Sequence, residues 1–258
     1  MIRTLERLQS QVRRGFAAGS EIRETAAFRV HIWHTADVFY RNRALAMRRP
    51  ASWEPAIAEM ESVFASAERV PRIELLAELW PELAPALERA GWVCEARGMA
   101  MALEAPAFTV VPGQAHVTLI GADAPRALVR SFVRGTEEVF DMIPSPEQGG
   151  EIDVLRRDLA SGTALCAASL VDGRPVSGAS LIGIGADAEL AGVWTTDEER
   201  RQGRAEAVCR TLLGHFFARG GELVWLSTSD DESERLYRRL GFAPVGTQLN
   251  YAKLRSKR

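Results

Sequence analysis

The residues best suited to hold an anion stand in one stretch. After the apolar run Ala188 to Trp194 come Thr195-Thr196-Asp197-Glu198-Glu199 and then Arg200-Arg201-Gln202-Gly203-Arg204-Ala205. Ala205, Cys209, Leu212 and Phe216 recur at the three-to-four-residue spacing of an amphipathic helix, so the charged cluster marks its start. The first amides of a helix have no partner within it, and the aligned peptide dipoles leave partial positive charge there, which suits a pyrophosphate. Gly203 and Ala205 are small where a larger side chain would keep a ligand off the backbone, and Arg200, Arg201 and Arg204 add full charge. The expected arrangement is a strand feeding an anion-binding helix N-terminus.

A second group lies downstream. Glu222 to Ser227 reads as a short buried strand, and Asp231 to Leu240 as a helix that carries Leu236-Tyr237 and ends at Gly241-Phe242. Arg200-x-x-Gly203-x-Ala205 resembles the acyl-CoA signature of the GNAT superfamily of N-acetyltransferases, Gln/Arg-x-x-Gly-x-Gly/Ala, and the tyrosine helix is similar to that family's closing motif. The two stand in the family's order. The resemblance implies acetyl-CoA as acyl donor and transfer to an amine by direct attack. It places the pyrophosphate on Arg200, Arg201, Gln202, Gly203, Arg204 and Ala205, and the pantetheine amides on the backbone of Val193 and Thr195, in a strand whose edge is splayed open.

Direct attack needs a neutral amine and a proton for the departing thiolate. Tyr237 falls at the family's Leu-Tyr position, and a phenol with a pKa near ~10 can protonate a thiolate of comparable basicity. For the base, Glu189 lies eleven residues before Arg200, where the resemblance to histone-modifying members places a glutamate. Glu137, Glu138 and Asp141, beside the segment that covers the acceptor in the family, are alternatives. Where the family often has Asn, seven residues before the tyrosine, this chain has Asp230. An acidic group facing the phosphates would repel them, so Asp230 is expected to cap the helix and to leave Ser229 or Ser233 to meet the cofactor.

The elements that must position these residues follow from pattern. A strand is expected over His116 to Ile120, helices over Ala124 to Phe140 and Ile152 to Ala160, and a proline- and glycine-rich segment from Met142 to Gly150 between them. Strands follow over Ala164 to Val171, Val176 to Gly185 and Ala188 to Thr195, the first pair joined by the hairpin signal Asp172-Gly173. A last strand runs to about Leu254. Earlier in the chain, Trp53 to Phe64 reads as a helix with Ser52 as N-cap, then Val70 to Leu75 as a strand, Pro81 to Ala90 as a helix, Gly91-Trp92, and an alternating tail to Leu103. This repeats the later order. Aligning Gly91 with Gly241 puts Leu87 where Tyr237 stands, and no arginine-glycine motif precedes the first copy.

The expected fold is therefore α/β, with two GNAT-like αβ domains in tandem, each a central, mostly antiparallel sheet flanked by helices. Residues 1–105 form a degenerate domain without the acyl-CoA motif, 106–114 a linker, and 115–258 the acetyltransferase domain.

At 258 residues and 47% hydrophobic content the chain can bury a large core. A net charge of -2 gives no bulk attraction to nucleic acid or membrane, and no run approaches a membrane span. Met1 to Ala18 lacks the apolar region of a signal peptide, and Cys94, Cys166 and Cys209 read as buried small hydrophobes in a reducing, cytoplasmic setting. His31 and His34 read as strand residues on opposite faces, not metal ligands. The expected partner is a small-molecule amine, for a monomer or homodimer. A non-catalytic acyl-CoA-binding protein is the alternative, and Tyr237 against Leu87 is the feature that separates the two.

Overall fold

The computed structural model describes residues 2–15, 20–34, 41–109, 117–142, 144–146, 148 and 150–254. In chain order the elements are α1 (Ile2–Gly15), β1 (Glu21–Glu24), β2 (Phe28–Ile32), β3 (Arg43–Ala46), α2 (Trp53–Ser66), β4 (Arg72–Leu76), α3 (Leu83–Arg89), β5 (Val93–Glu104), β6 (Val117–Ile120), α4 (Arg126–Val139), α5 (Glu151–Ser161), β7 (Ala164–Val171), β8 (Arg174–Ile182), β9 (Asp187–Thr195), α6 (Arg204–Ala218), β10 (Leu223–Thr228), α7 (Asp231–Leu240) and β11 (Ala243–Ala252). Residues 110–114 of the expected linker, His116, positions 143, 147 and 149, and residues 255–258 lie outside the described residues. The chain forms two compact units, one of Met1–Met101, Ser227–Asp231 and Pro244–Arg258, the other of Ala102–Leu226 and Glu232–Ala243. Each is a mostly antiparallel sheet flanked by helices.

In the first unit the strand order is β1-β2-β3-β4-β11-β5. β3 and β4 run parallel, whereas β1–β2, β2–β3 and β4–β11 are antiparallel. Alternate residues Phe28, Val30 and Ile32 of β2 turn to one side and meet Ile57, Met60 and Phe64, which the helical period places on one face of α2. Leu249 and Tyr251 of β11 complete this core with Leu83 and Leu87 of α3. The Tyr251 hydroxyl donates to Glu88 at 2.8 Å, and burial first, then this carboxylate, push its pKa up. α1, which the periodicity argument passed over, buries Leu5, Leu8 and Val12 and is tied down by Gln9 Nε2 and Arg13 Nη2, both donating to Ala46 O.

Several local expectations are corrected in this unit. Ser52 occupies the N-cap position of α2, but its hydroxyl donates to Glu54 at 2.6 Å instead of closing onto the backbone. His34 lies past the end of β2 and pairs with Glu21 at 2.6 Å, while His31 is fully buried. Cys94 is exposed, because the first five residues of β5 are exposed on both faces.

In the second unit the order is β10-β9-β8-β7-β6, antiparallel except for the parallel pair β9–β10. Asp172 and Gly173 have φ of +49° and +76°, the left-handed pair that a tight β7–β8 hairpin requires. α4 packs on β8 and β9, α5 on β7, and α6 across β7, β8 and β9. Phe132 and Val133 of α4 join Cys166, Ala168 and Trp194 in the core. Added Cβ atoms on Gly135 and Gly178 would lie 2.5 and 2.8 Å from Trp194, so both glycines make room for the indole. Cys166 and Cys209 are buried, and loss of solvent pushes each thiol up to about 12. Among the described residues no helix is long and apolar enough to cross a membrane.

Candidate functional site

β9 carries two irregularities that together open its edge. Gly178 faces Trp194 and Ser180 faces Ala191, so Ala179 alone stands opposite Gly192 and Val193. This is a β-bulge, with Gly192 at φ +57°, and it takes backbone amide and carbonyl groups out of the ladder. On its other side β9 pairs with β10 only over Asp187, Ala188 and Glu189, against Leu223, Val224 and Trp225. Beyond Glu189 the two strands no longer pair. Val193 and Thr195 lie in this stretch unpaired with β10, on the splayed edge that the family resemblance implies.

The chain leaves β9 through a 3-10 turn, Asp197–Glu199, and enters α6 at Arg204. Two residues of the connection adopt left-handed backbone, Arg201 at φ +61° and Gly203 at φ +75°. Gly203 is the N-cap residue of α6 and supplies no side-chain cap, so the first amides of the helix are left to an outside acceptor. A Cβ on Gly203 would meet no protein atom within 4 Å, which places the residue against open space. Arg200, Arg201 and Gln202 are exposed, and Ala205 is half-buried. Arg200 pairs with Asp197 at 3.1 Å, and Gln202 Nε2 donates to Glu198 O at 3.4 Å.

Arg204 behaves differently from its neighbours. Its Nε donates to Glu199 Oε2 at 2.7 Å, its Nη1 to the buried Ser169 hydroxyl at 2.9 Å and its Nη2 to Gln202 Oε1 at 3.3 Å. The start of the same connection is tied to β8: Thr196 N donates to Val176 O at 2.9 Å, and Ser177 Oγ donates to Trp194 O at 2.8 Å.

Tyr237 sits in the last turn of α7, 8% exposed, with its ring edge-on to Phe242 at 6.0 Å. The helix closes at Gly241, φ +100°, where Gly241 N donates to Arg238 O at 3.0 Å and Phe242 N to Tyr237 O at 3.0 Å. That pair of bonds is a Schellman cap, and it fixes the backbone beneath the phenol. In the first unit Gly91 N donates to Glu88 O at 3.0 Å and Trp92 N to Leu87 O at 2.9 Å, around a glycine at φ +82°. Leu87 therefore holds in α3 the position that Tyr237 holds in α7. Asp230 and the exposed Ser229 directly precede α7, and Ser233 is half-buried in its first turn.

Glu189 lies at the fork itself, in the last row where β9 still has β8 and β10 on both sides. Glu137 is 3% exposed; it pairs with Arg134 at 2.6 Å and accepts from the Ser145 amide and hydroxyl at 2.8 and 2.6 Å. That carboxylate anchors the segment after α4. Glu138 and Asp141 are exposed.

The bulge at Gly192 and Val193, and the side chains Glu199, Ser169 and Ser177, were missed by pattern reading. Gly178 and Gly192 were the available signal, since glycine inside a strand marks a bulge or a close approach.

Residues 131–242 match the model of the acetyltransferase (GNAT) family. Over that range, which spans the bulge, the connection and the tyrosine helix, the chain matches a GNAT acetyltransferase domain. Over its length the chain is similar to a GCN5-related N-acetyltransferase from Kribbella flavida, with a TM-score of 0.78 and 25% identity over 98% of this chain and 96% of that one. It shares its fold with a GCN5-related N-acetyltransferase from Sphaerobacter thermophilus (TM-score 0.63, 16% identity, 88% of this chain and 76% of that one). It shares it also with a tandem GNAT protein from the clavulanic acid biosynthesis pathway (TM-score 0.61, 12% identity, 93% and 85%). No curated protein sequence matches.

Proposed function

We propose that the second unit transfers an acetyl group from acetyl-CoA to the primary amine of a small molecule, by direct attack. The observation that carries this reading is the continuity of β9 and α6: an opened strand edge leads through one short connection to a helix start with no side-chain cap. An extended amide-bearing chain fits the first and a pyrophosphate the second. Acetyl-CoA, when bound, supplies an acetyl group activated as a thioester.

The chain's own residues have separate tasks. Val193 and Thr195 offer backbone groups to the pantetheine arm. The amides from Gln202 to Ala205, with Arg200 and Arg201, hold the pyrophosphate, and Ser229 or Ser233 meets the cofactor at the start of α7. Glu189, at the strand fork, takes the proton of the incoming ammonium. The Tyr237 hydroxyl gives its proton to the departing sulfur. The first unit is a diverged copy in which Leu87 replaces the tyrosine, without chemistry of its own; in this reading residues 1–105 and 115–258 are the two repeats.

The test is an amine panel with thiol release as the readout. Turnover of acetyl-CoA that depends on one class of primary amine supports the reading. Tight acetyl-CoA binding with no amine-dependent thiol release would instead favour a non-catalytic acyl-CoA-binding protein.

A further inference from the structure

Among the arginines of the connection between β9 and α6, Arg204 alone is turned inward. Its side chain is 18% exposed, against 57% for Arg200. Its guanidinium spans three separate segments: Glu199 in the 3-10 turn, Gln202 in the loop and Ser169 in β7. Both charges of the Arg204–Glu199 pair are largely withdrawn from solvent, and the Nη2–Oε2 separation is 2.5 Å. Charge-assisted bonds in such a setting are among the stronger ones a protein makes.

The segment they enclose is strained. Arg201 holds a left-handed backbone at φ +61° without being glycine, a conformation in which the Cβ of an L-residue crowds the neighbouring backbone. Such a residue keeps that conformation only where surrounding contacts over-determine it. Arg204 and Glu199 bracket Arg201 on either side in sequence, and Ser169 fixes the bracket to the sheet.

We infer that Arg204, Glu199 and Ser169 form a brace that shapes the phosphate-binding connection. Arg204 is then a positioning residue: its side chain acts through the loop, and only its backbone amide faces the anion. The inference rests on the acyl-CoA reading above and deepens it, since it assigns the anion's charge partners to Arg201, Arg200 and the free amides.

The sign of one substitution decides. CoA carries several negative charges, so removing the Glu199 carboxylate should tighten its binding on Coulomb grounds alone, all the more if Arg204 were released to meet a phosphate. A brace makes the opposite demand. Calorimetric titration with CoA is expected to show Glu199→Gln and Arg204→Gln each weakening affinity about ten-fold, the worth of one charge-assisted hydrogen bond. The Glu199→Gln/Arg204→Gln double variant is expected to be no weaker than either single one, because both remove the same brace. Ser169→Ala should weaken CoA in the same direction, and Arg204→Lys should not restore it, since an ammonium cannot span the fork.

CoA binding by Glu199→Gln equal to or tighter than wild type, with Arg204→Gln weakened and Arg204→Lys restored, would overturn the brace and make Arg204 a direct phosphate ligand. Should Arg204→Gln not fold, Glu199→Gln and Ser169→Ala decide the matter between them. A wild-type protein that does not bind CoA would overturn the acyl-CoA reading itself, an outcome distinct from any pattern among the variants.

Discussion

Tyr237 and Leu87 occupy the same place in two helix caps built from the same pair of backbone bonds, yet one carries a phenol and the other an isobutyl group. The cap explains why an apolar residue suffices there: the position is turned into the core, and Leu87 is 0% exposed. Packing alone therefore does not call for the Tyr237 hydroxyl. A proton donor used only as the C–S bond breaks contributes to turnover and little to ground-state binding. Tyr237→Phe is accordingly expected to lower kcat by about two orders of magnitude while acetyl-CoA affinity changes less than about two-fold. Steady-state kinetics beside calorimetry measure both, and a parallel loss in the two would remove the assigned role. Leu87→Ala supplies the contrast, with destabilisation of about 2–5 kcal/mol and catalytic constants per folded molecule left unchanged.

Among the elements, those with a strong local pattern were legible from the residues alone. α2, α6 and α7 announce themselves by helical spacing, and the β7–β8 hairpin by Asp172-Gly173, whose two positive φ values the structure reproduces. The splayed edge of β9 was not legible in that way; it lies where the family resemblance implied it. Other features escaped for physical reasons. α1 was passed over because arginine, glutamate and glutamine surround its apolar positions, although Leu5, Leu8 and Val12 keep the helical period. The bulge at Gly192 and Val193 depends on which residues of β8 stand opposite, and that register is set by pairing across the sheet. Arg204 looked like its neighbouring arginines because nothing in the local sequence reveals Ser169 beneath it. The connection itself yields a prediction. Gly203 combines φ +75° with open space over the first amides of α6, so a β-branched side chain there is both strained and obstructive. Gly203→Val is expected to weaken CoA by more than about ten-fold, roughly 1.4 kcal/mol, while pantetheine, which has no pyrophosphate, binds as before. Calorimetry with both compounds would refute the phosphate assignment if CoA affinity stayed level.

For the whole chain, β11 shows what local pattern cannot carry. Its alternation is visible in the sequence, but its partner, β4, lies some 170 residues earlier, with Leu249 opposite Leu75 and Tyr251 opposite Ile73. The bonds continue beyond the ladder: Ala77 N donates to Thr247 O at 2.9 Å, Thr247 N to Glu78 at 3.0 Å, and Lys253 Nζ pairs with Glu61 at 2.8 Å. The first compact unit is thus built from both ends of the chain. Removing residues 244–258 would strip Leu249 and Tyr251 from its core and leave one side of β4 as a bare edge with unpaired amides. Each lost core side chain is worth about 2–5 kcal/mol, so the pair approaches the whole stability of an ordinary domain. A chain ending at Ala243 is expected to lose amide-exchange protection across β2, β3 and β4 and to aggregate through that edge. Leu249→Ala, which keeps the strand, is expected to lower the melting temperature while retaining protection in β4. Full protection of β2 to β4 in the truncated chain would mean that the first unit stands without its last strand.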